Sequence, residues 1–158
     1  MSPVEKRERR RSTVAIKESL RELSVQLSLV NQQVSGRLAM RPVDLDCLDL
    51  IGRHGPLSPT ALARRSGLHA ATLTGILDRL EKAGWVSRDR DPSDRRAVLV
   101  QVRKERNHEV FAMYSGLNAE MDGLLAGYAD QELAVLTDFL RRCAEVSRRA
   151  ATDLASST

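Results

Sequence analysis

PTALARRSGLHAATLTGILDRLEKAGWV, residues 59–86, runs without a linker into a basic turn, Asp91-Pro92-Ser93-Asp94-Arg95-Arg96, and a valine-rich segment ending at Val102. Ser58, just before it, is placed to cap a helix that starts at Pro59: the hydroxyl satisfies an orphan amide, and proline has no amide to leave unpaired. Counting from Pro59, Leu62 is fourth, Ala63 fifth, Gly67 ninth, Leu68 tenth, Leu73 fifteenth and Ile76 eighteenth. Two helices crossing at a tight turn need such a set. A small residue sits where the second helix passes close, glycine supplies a left-handed turn, and Leu62, Leu68, Leu73 and Ile76 fill the wedge. The spacing predicts one helix over residues 60–66 and a second from roughly His69 to Ala83.

The second helix packs Leu73, Ile76, Leu77 and Leu80 inward and turns His69, Ala71, Thr72, Gly75 and Arg79 to the other side. In a helix-turn-helix that outer face enters the major groove of DNA. Thr72 and Thr74 offer hydroxyls to phosphates or base edges, and Arg79 can reach phosphate or guanine. Gly75 inside a helix costs about 1 kcal/mol relative to alanine, and two reasons for it stay open: close approach of backbone to DNA, or relief of crowding against another helix.

Gly84 ends that helix and Trp85-Val86 begins a strand, which turns at Asp91-Pro92-Ser93-Asp94 and returns through Ala97 to Val102. Val98, Val100 and Val102 alternate with Leu99 and Gln101, as a half-buried strand requires. At the tip Arg95 and Arg96 stand beside Asp94, whose carboxylate can hold one guanidinium in a bidentate geometry. An arginine so held suits a narrow, electronegative minor groove. Trp85 is expected to pack between the second helix and the hairpin.

Charge is distributed unevenly around this motif. Residues 1–22 carry seven Lys/Arg against four Asp/Glu, residues 41–104 twelve against eight, and residues 105–158 five against nine. The two basic blocks precede and contain the motif, while the last third is acidic and is a poor partner for phosphate. The chain of 158 residues is 42% hydrophobic but only 3% aromatic, as expected of a mainly helical protein with an aliphatic core. The segment Met1 to Arg11 has no apolar run, and no stretch approaches the length of a membrane span; a soluble, cytoplasmic protein is expected. Cys47 and Cys143 form no spaced disulfide or zinc framework.

The flanks read as helices with more apolar surface than a small domain can bury. Ile16, Leu20, Leu23, Leu27, Val30, Val34 and Leu38 follow one another at steps of 4, 3, 4, 3, 4 and 4, a single helical stripe. Gly36 and then Arg41-Pro42 are expected to close it. A short helix from Pro42 or Val43 buries Leu45, Leu48 and Ile51 and ends by Gly55. Beyond residue 105, Val110, Met113, Leu117, Met121, Leu124 and Leu125 line a helix broken near Gly127, and Leu133, Leu136, Leu140 and Cys143 line another, with Asp130 as its expected cap. A second copy packed on these stripes would bury them and set two recognition helices about 34 to 36 Å apart, one turn of DNA.

Leu57-Ser58-Pro59-Thr60-Ala61-Leu62-Ala63, the run from Thr72 to Val86, and Arg88 with Asp94-Arg95-Arg96-Ala97-Val98 resemble the winged-helix region of the MarR family of bacterial transcription regulators. The Asp-Arg-Arg wing directly after Leu80-Glu81-Lys82-Ala83-Gly84-Trp85-Val86 is the specific part of the likeness. The resemblance implies a mainly α fold: a winged helix-turn-helix with a two- to three-stranded β-wing, plus N- and C-terminal dimerisation helices. It implies three parts, a basic arm and dimerisation helix at 1–41, the DNA-binding winged helix at 42–104 and dimerisation helices at 105–158. It further implies a homodimer binding a pseudo-palindrome, repression relieved by a small-molecule effector, Arg88 among the DNA-binding residues, and Arg96 in the minor groove held by Asp94. Two departures stand out: Gly75, where many relatives carry a longer polar or basic residue, and Val102-Arg103-Lys104-Glu105, where many have Leu-Thr and a nearby Gly.

The DNA-contacting set expected from residues and resemblance is therefore His69, Ala71, Thr72, Thr74, Gly75, Arg79, Arg88, Asp94, Arg95 and Arg96. Neither a phosphate loop nor a nucleophile with a matching His and acid occurs, so no enzyme, cofactor or metal is expected. Cys47, among leucines, reads as a buried, inert thiol, and His54, His69 and His108 are too scattered for a metal site. The alternative to a DNA-binding regulator is a winged-helix adaptor for protein contacts, whose signature would be loss of the basic wing.

Overall fold

In a computed structural model, which describes residues 2–94 and 96–156, the elements in order are α1 Pro3–Arg37, α2 Pro42–His54, α3 Pro59–Ser66, α4 Ala70–Lys82, β1 Val86–Arg90, β2 Val98–Val102, α5 Lys104–Leu125 and α6 Asp130–Ser156. They fall into two compact units, one reaching to Pro42 and the other starting at Val43.

The first unit is α1, and it begins earlier than its apolar stripe. Ser2 Oγ accepts from the Glu5 amide at 3.2 Å while the Glu5 carboxylate accepts from the Ser2 amide, with Pro3 at the first helical position. This capping box satisfies two orphan donors at once, so the charged arm is the first three turns of the helix. Gly36 does not stop it. The chain stays helical through Arg37 and leaves by a left-handed Ala39 at φ 52°, with the Met40 amide donating to the Ser35 carbonyl at 2.8 Å.

In the second unit the core is built from α2, α3, α4 and the wing. Leu45, Cys47, Leu48 and Ile51 of α2, Leu62 of α3, and Leu73, Ile76, Leu77 and Leu80 of α4 are buried, with Trp85, Val86 and Val100. Ser58 Oγ accepts from the Ala61 amide at 3.2 Å, Pro59 opens α3, and Gly67 closes it at φ 69°. These are the roles the sequence assigned them. Gly84, at φ 77°, turns the chain after α4, so that the Trp85 amide donates to the Leu80 carbonyl at 2.8 Å. Strands β1 and β2 pair antiparallel from Val86 opposite Val102 to Arg90 opposite Val98. Leu57 and Val100 exchange both backbone hydrogen bonds, at 3.0 and 2.8 Å, giving the two-stranded sheet a one-residue third strand.

Arg103 is the only residue between β2 and α5, and its amide donates to the Trp85 carbonyl at 2.9 Å. One turn on, the Arg106 guanidinium lies 3.8 Å over the Trp85 ring, donates to the Ala83 carbonyl, and pairs with Glu109 at 3.0 Å. A cation on an indole face and a carbonyl at a helix end both favour positive charge there, so the start of α5 is fastened to the corner between α4 and β1. Farther along, α5 and α6 bury none of their described residues completely. The cap of α6 is also different from expectation: Asp130 is the first helical residue, and the Glu132 carboxylate accepts from the Ala129 amide at 2.8 Å.

Candidate nucleic-acid interface

The exposed face of α4 is short-chained at its start and cationic farther on. His69 stands at the N-cap position, exposed and without a side-chain cap bond, followed by exposed Ala70, Ala71, Thr72 and Thr74. With no bulky side chain over the first turn, the helix can come close to a polyanion, and its N-terminal dipole favours that approach. Thr74 Oγ1 donates to the Ala70 carbonyl at 2.9 Å and keeps its acceptor lone pairs outward. A Cβ added at Gly75 would meet only Arg79 Nη1, at 3.6 Å. That is ordinary contact, so crowding against another helix does not explain the glycine.

Arg79 is not a loose side chain. Its Nε and Nη2 donate to the two carboxylate oxygens of Asp44 at 3.0 and 2.6 Å, and this pairing raises its pKa further. The Asp44 side chain is 5% exposed and that of Arg79 40%, so the carboxylate belongs to the interior and the guanidinium to the surface. Sequence reasoning passed over Asp44. Its signal was there: with Cys47, Leu48 and Ile51 it lies on one stripe of α2, and a carboxylate on an apolar stripe demands a cation.

Two expected contacts take different roles. Arg88 crosses from β1 to α4, with Nη2 2.7 Å from Asp78 and Nη1 3.2 Å from Glu81; two carboxylates hold it as a brace between wing and recognition helix. Asp94 does not grip the Arg96 guanidinium. Its Oδ1 accepts from the Arg96 backbone amide at 3.0 Å, and no ion pair joins the two side chains among the described residues. The carboxylate therefore fixes the peptide from which Arg96 projects, leaving the Arg96 side chain exposed. Arg95 lies outside the described residues.

Other short bonds stiffen the hairpin. Asp91 Oδ1 accepts from the Ser93 amide at 2.8 Å and its hydroxyl at 2.6 Å, which pulls the Asp91 pKa down. The Asp91 amide donates to the Ala97 carbonyl at 3.0 Å, and Asp89 takes bonds from Ser87 at 3.0 Å and Gln101 at 2.7 Å. Exposed Arg90 and Arg96 line the wing and exposed Arg64 and Arg65 close α3, so cations flank α4 on the two elements nearest to it in sequence. Among the described residues no group of three His, Cys, Asp or Glu side chains could hold a metal ion, and no helix is long and apolar enough to cross a membrane.

The sequence pattern of the MarR family matches residues 41–98, the stretch that contains α2, α3, α4, β1 and the wing turn as far as the first residue of β2. Residues 41–98 thus resemble the MarR family. The winged helix is similar to that of a family of transcription regulators, which are not enzymes. The chain is 29% identical to the HTH-type transcriptional regulator YcgE of Bacillus subtilis over 80% of its own length and 82% of that protein's. It is 34% identical to the HTH-type transcriptional repressor YetL of the same organism, over 48% of this chain and 46% of the relative. In fold it is similar to Streptococcus pneumoniae FabT, solved in complex with DNA, at a TM-score of 0.67 and 19% identity, covering 87% of this chain and 99% of that one.

Proposed function

We propose that this protein is a MarR-family regulator and works as a cytoplasmic homodimer that binds a pseudo-palindromic operator in double-stranded DNA and represses transcription, with a small-molecule effector lowering its DNA affinity. The observation that carries the DNA reading is the α4 face, short-chained at His69–Thr74, polar at Thr72 and Thr74, and cationic at Arg79, beside a wing whose Arg96 is exposed. On this reading His69, Ala71, Thr72, Thr74, Gly75 and Arg79 face the major groove. Arg96, and Arg95 beside it, serve the minor groove, with Asp94 setting the turn and Arg88 the angle of the wing. Repression and the effector rest on family likeness, and YetL carries repression in its name.

The homodimer rests on apolar surface. In α5 and α6, Phe111, Leu124, Val135, Leu140, Val146 and Leu154 are each at least half exposed, Val135 at 69% and Leu154 at 74%. A single chain that leaves so much aliphatic surface in water gains by burying it against another copy. Selecting bound fragments from a genomic DNA pool tests the whole reading. Recovery of an inverted repeat with half-sites about 10 base pairs apart, bound with a steep salt dependence, supports it; no enriched sequence and a flat salt response would point to a protein-contact adaptor instead.

A further inference from the structure

We infer that Asp44 is a positioning residue that holds Arg79 as a rigid fork over Gly75, where it reads a guanine in the major groove. The inference rests on the DNA-binding reading of α4 and goes further in naming one base contact and the buried group that sets it.

The geometry divides the guanidinium in two. Asp44 occupies its side edge, taking Nε at 3.0 Å and Nη2 at 2.6 Å. Of the five N–H donors of an arginine, those left over are both on Nη1 and one on Nη2, which form the end of the fork. That end is turned back along the helix: Nη1 lies 3.6 Å from where a Cβ of residue 75 would stand. Thr72, Gly75 and Arg79 share a face, being three and then four residues apart. The end of the Arg79 head group thus lies within contact distance of a side chain placed at residue 75.

Three features favour a base edge over a phosphate or a simple strut. A strut between α2 and α4 would be served by burying both partners, yet the Arg79 side chain stays 40% exposed. A guanidinium already neutralised by a carboxylate gains less from the charge of a phosphate, whereas the O6 and N7 acceptors of guanine ask for direction, which a two-point clamp supplies. An arginine fixed before binding has also surrendered its rotamer freedom in advance.

The test uses the full-length protein and the operator recovered from the DNA pool, with each base pair of a half-site varied in competition binding. Arg79→Ala should abolish preference for one G·C pair, a discrimination of about 10- to 100-fold, and leave the other positions as they were. Asp44→Ala should lose the same preference and add nothing to the loss in an Asp44→Ala/Arg79→Ala double variant. Gly75→Gln, which leaves the Asp44 site untouched and so keeps the test open if Asp44→Ala fails to fold, should displace the fork and lose that preference too. Uniform weakening at all sequences with a smaller salt slope, additive effects of Asp44 and Arg79, or an Arg79→Ala variant with unchanged preference would each overturn the inference. A wild-type protein that enriches no DNA would instead fail the regulator reading beneath it.

Discussion

The winged helix and the two long C-terminal helices are made of much the same aliphatic residues, yet they treat them in opposite ways. In α4, 13 residues long, Leu73, Ile76, Leu77 and Leu80 are each 1% exposed; in α6, 27 residues long, none of the described residues is fully buried and Leu140 is 50% exposed. The difference lies in what the chain itself can place opposite each stripe. The winged helix folds back on itself through Gly67 and Gly84, so α2, α3 and the sheet cover α4, while α6 has no comparable cover from its own chain. One region is a closed folding unit, and the other leaves its apolar stripe open.

The largest effect should come from opening the closed unit. Leu73→Ala deletes buried atoms and leaves a cavity, costing about 2 to 5 kcal/mol, and the loss in urea unfolding should not vary with protein concentration. A cost under about 1 kcal/mol would show that the unit is looser than its burial implies. The matching change in the open region is Leu133→Glu with Leu136→Glu on the inner stripe of α6. That variant should remain folded in its winged helix but sediment as a monomer, with operator affinity lower by about two orders of magnitude because the two half-sites are no longer linked. A dimer that survives both charges would move the interface off α6. Wild-type thermal stability should in turn rise with protein concentration, as expected if a partner copy buries the α5 and α6 stripes and adds to the stability of the folded chain.

Sequence reading served local pairings well and long-range ones less well, for a physical reason. Ser58, Pro59, Gly67 and the leucines of the helix-turn-helix act through neighbours a few residues away, where spacing carries the information. Asp44 and Arg79 meet across 35 positions, and Arg106 meets Ala83 across 23; neither pairing leaves a periodic trace. Arg88 entered the DNA-contacting set by resemblance alone, and its partners, Asp78 and Glu81, lie on another element. The early start of α1 is a different case: Ser2, Pro3 and Glu5 spelled a capping box, hidden in a run of charges. Gly36 and Asp130 were given stop and cap roles by residue type alone, and in each case a neighbour, Ala39 or Glu132, does the work.

Within the DNA-facing side the same contrast recurs at smaller scale, between an arginine clamped from below and one on an exposed turn. Arg96→Ala should weaken operator binding by about 1 to 3 kcal/mol without changing the unfolding midpoint; unaltered affinity in a gel-shift titration would remove the wing from the mechanism. Asp94→Ala should cost less, about 1 kcal/mol, since it removes one turn-setting hydrogen bond rather than the guanidinium. An Asp94→Ala loss equal to that of Arg96→Ala would mean that the carboxylate grips the arginine once DNA is bound.

The two thiols give the finest version of the comparison. Cys47 is 1% exposed in the core of the winged helix, where burial, with help from Asp46 and Asp44, pushes its pKa from 9.0 to about 11, whereas Cys143 lies half-buried on α6. A thiol reagent at neutral pH should therefore label Cys143 and spare Cys47, and labelling of Cys143 should slow as concentration drives α6 against a partner. The raised pKa also has a sign for stability. The folded protein holds the Cys47 proton more tightly than the unfolded chain, so its contribution is complete below pH 9 and fades as the pH climbs toward 11. By pH 10 wild type should have lost about 1 kcal/mol relative to a Cys47→Ala variant, at roughly 1.4 kcal/mol per pH unit above the unfolded value. A stability difference between the two that stays constant from pH 8 to about 10.5 would mean that Cys47 can ionise in the folded state, and that the unit described as closed is open to water at its α2 edge.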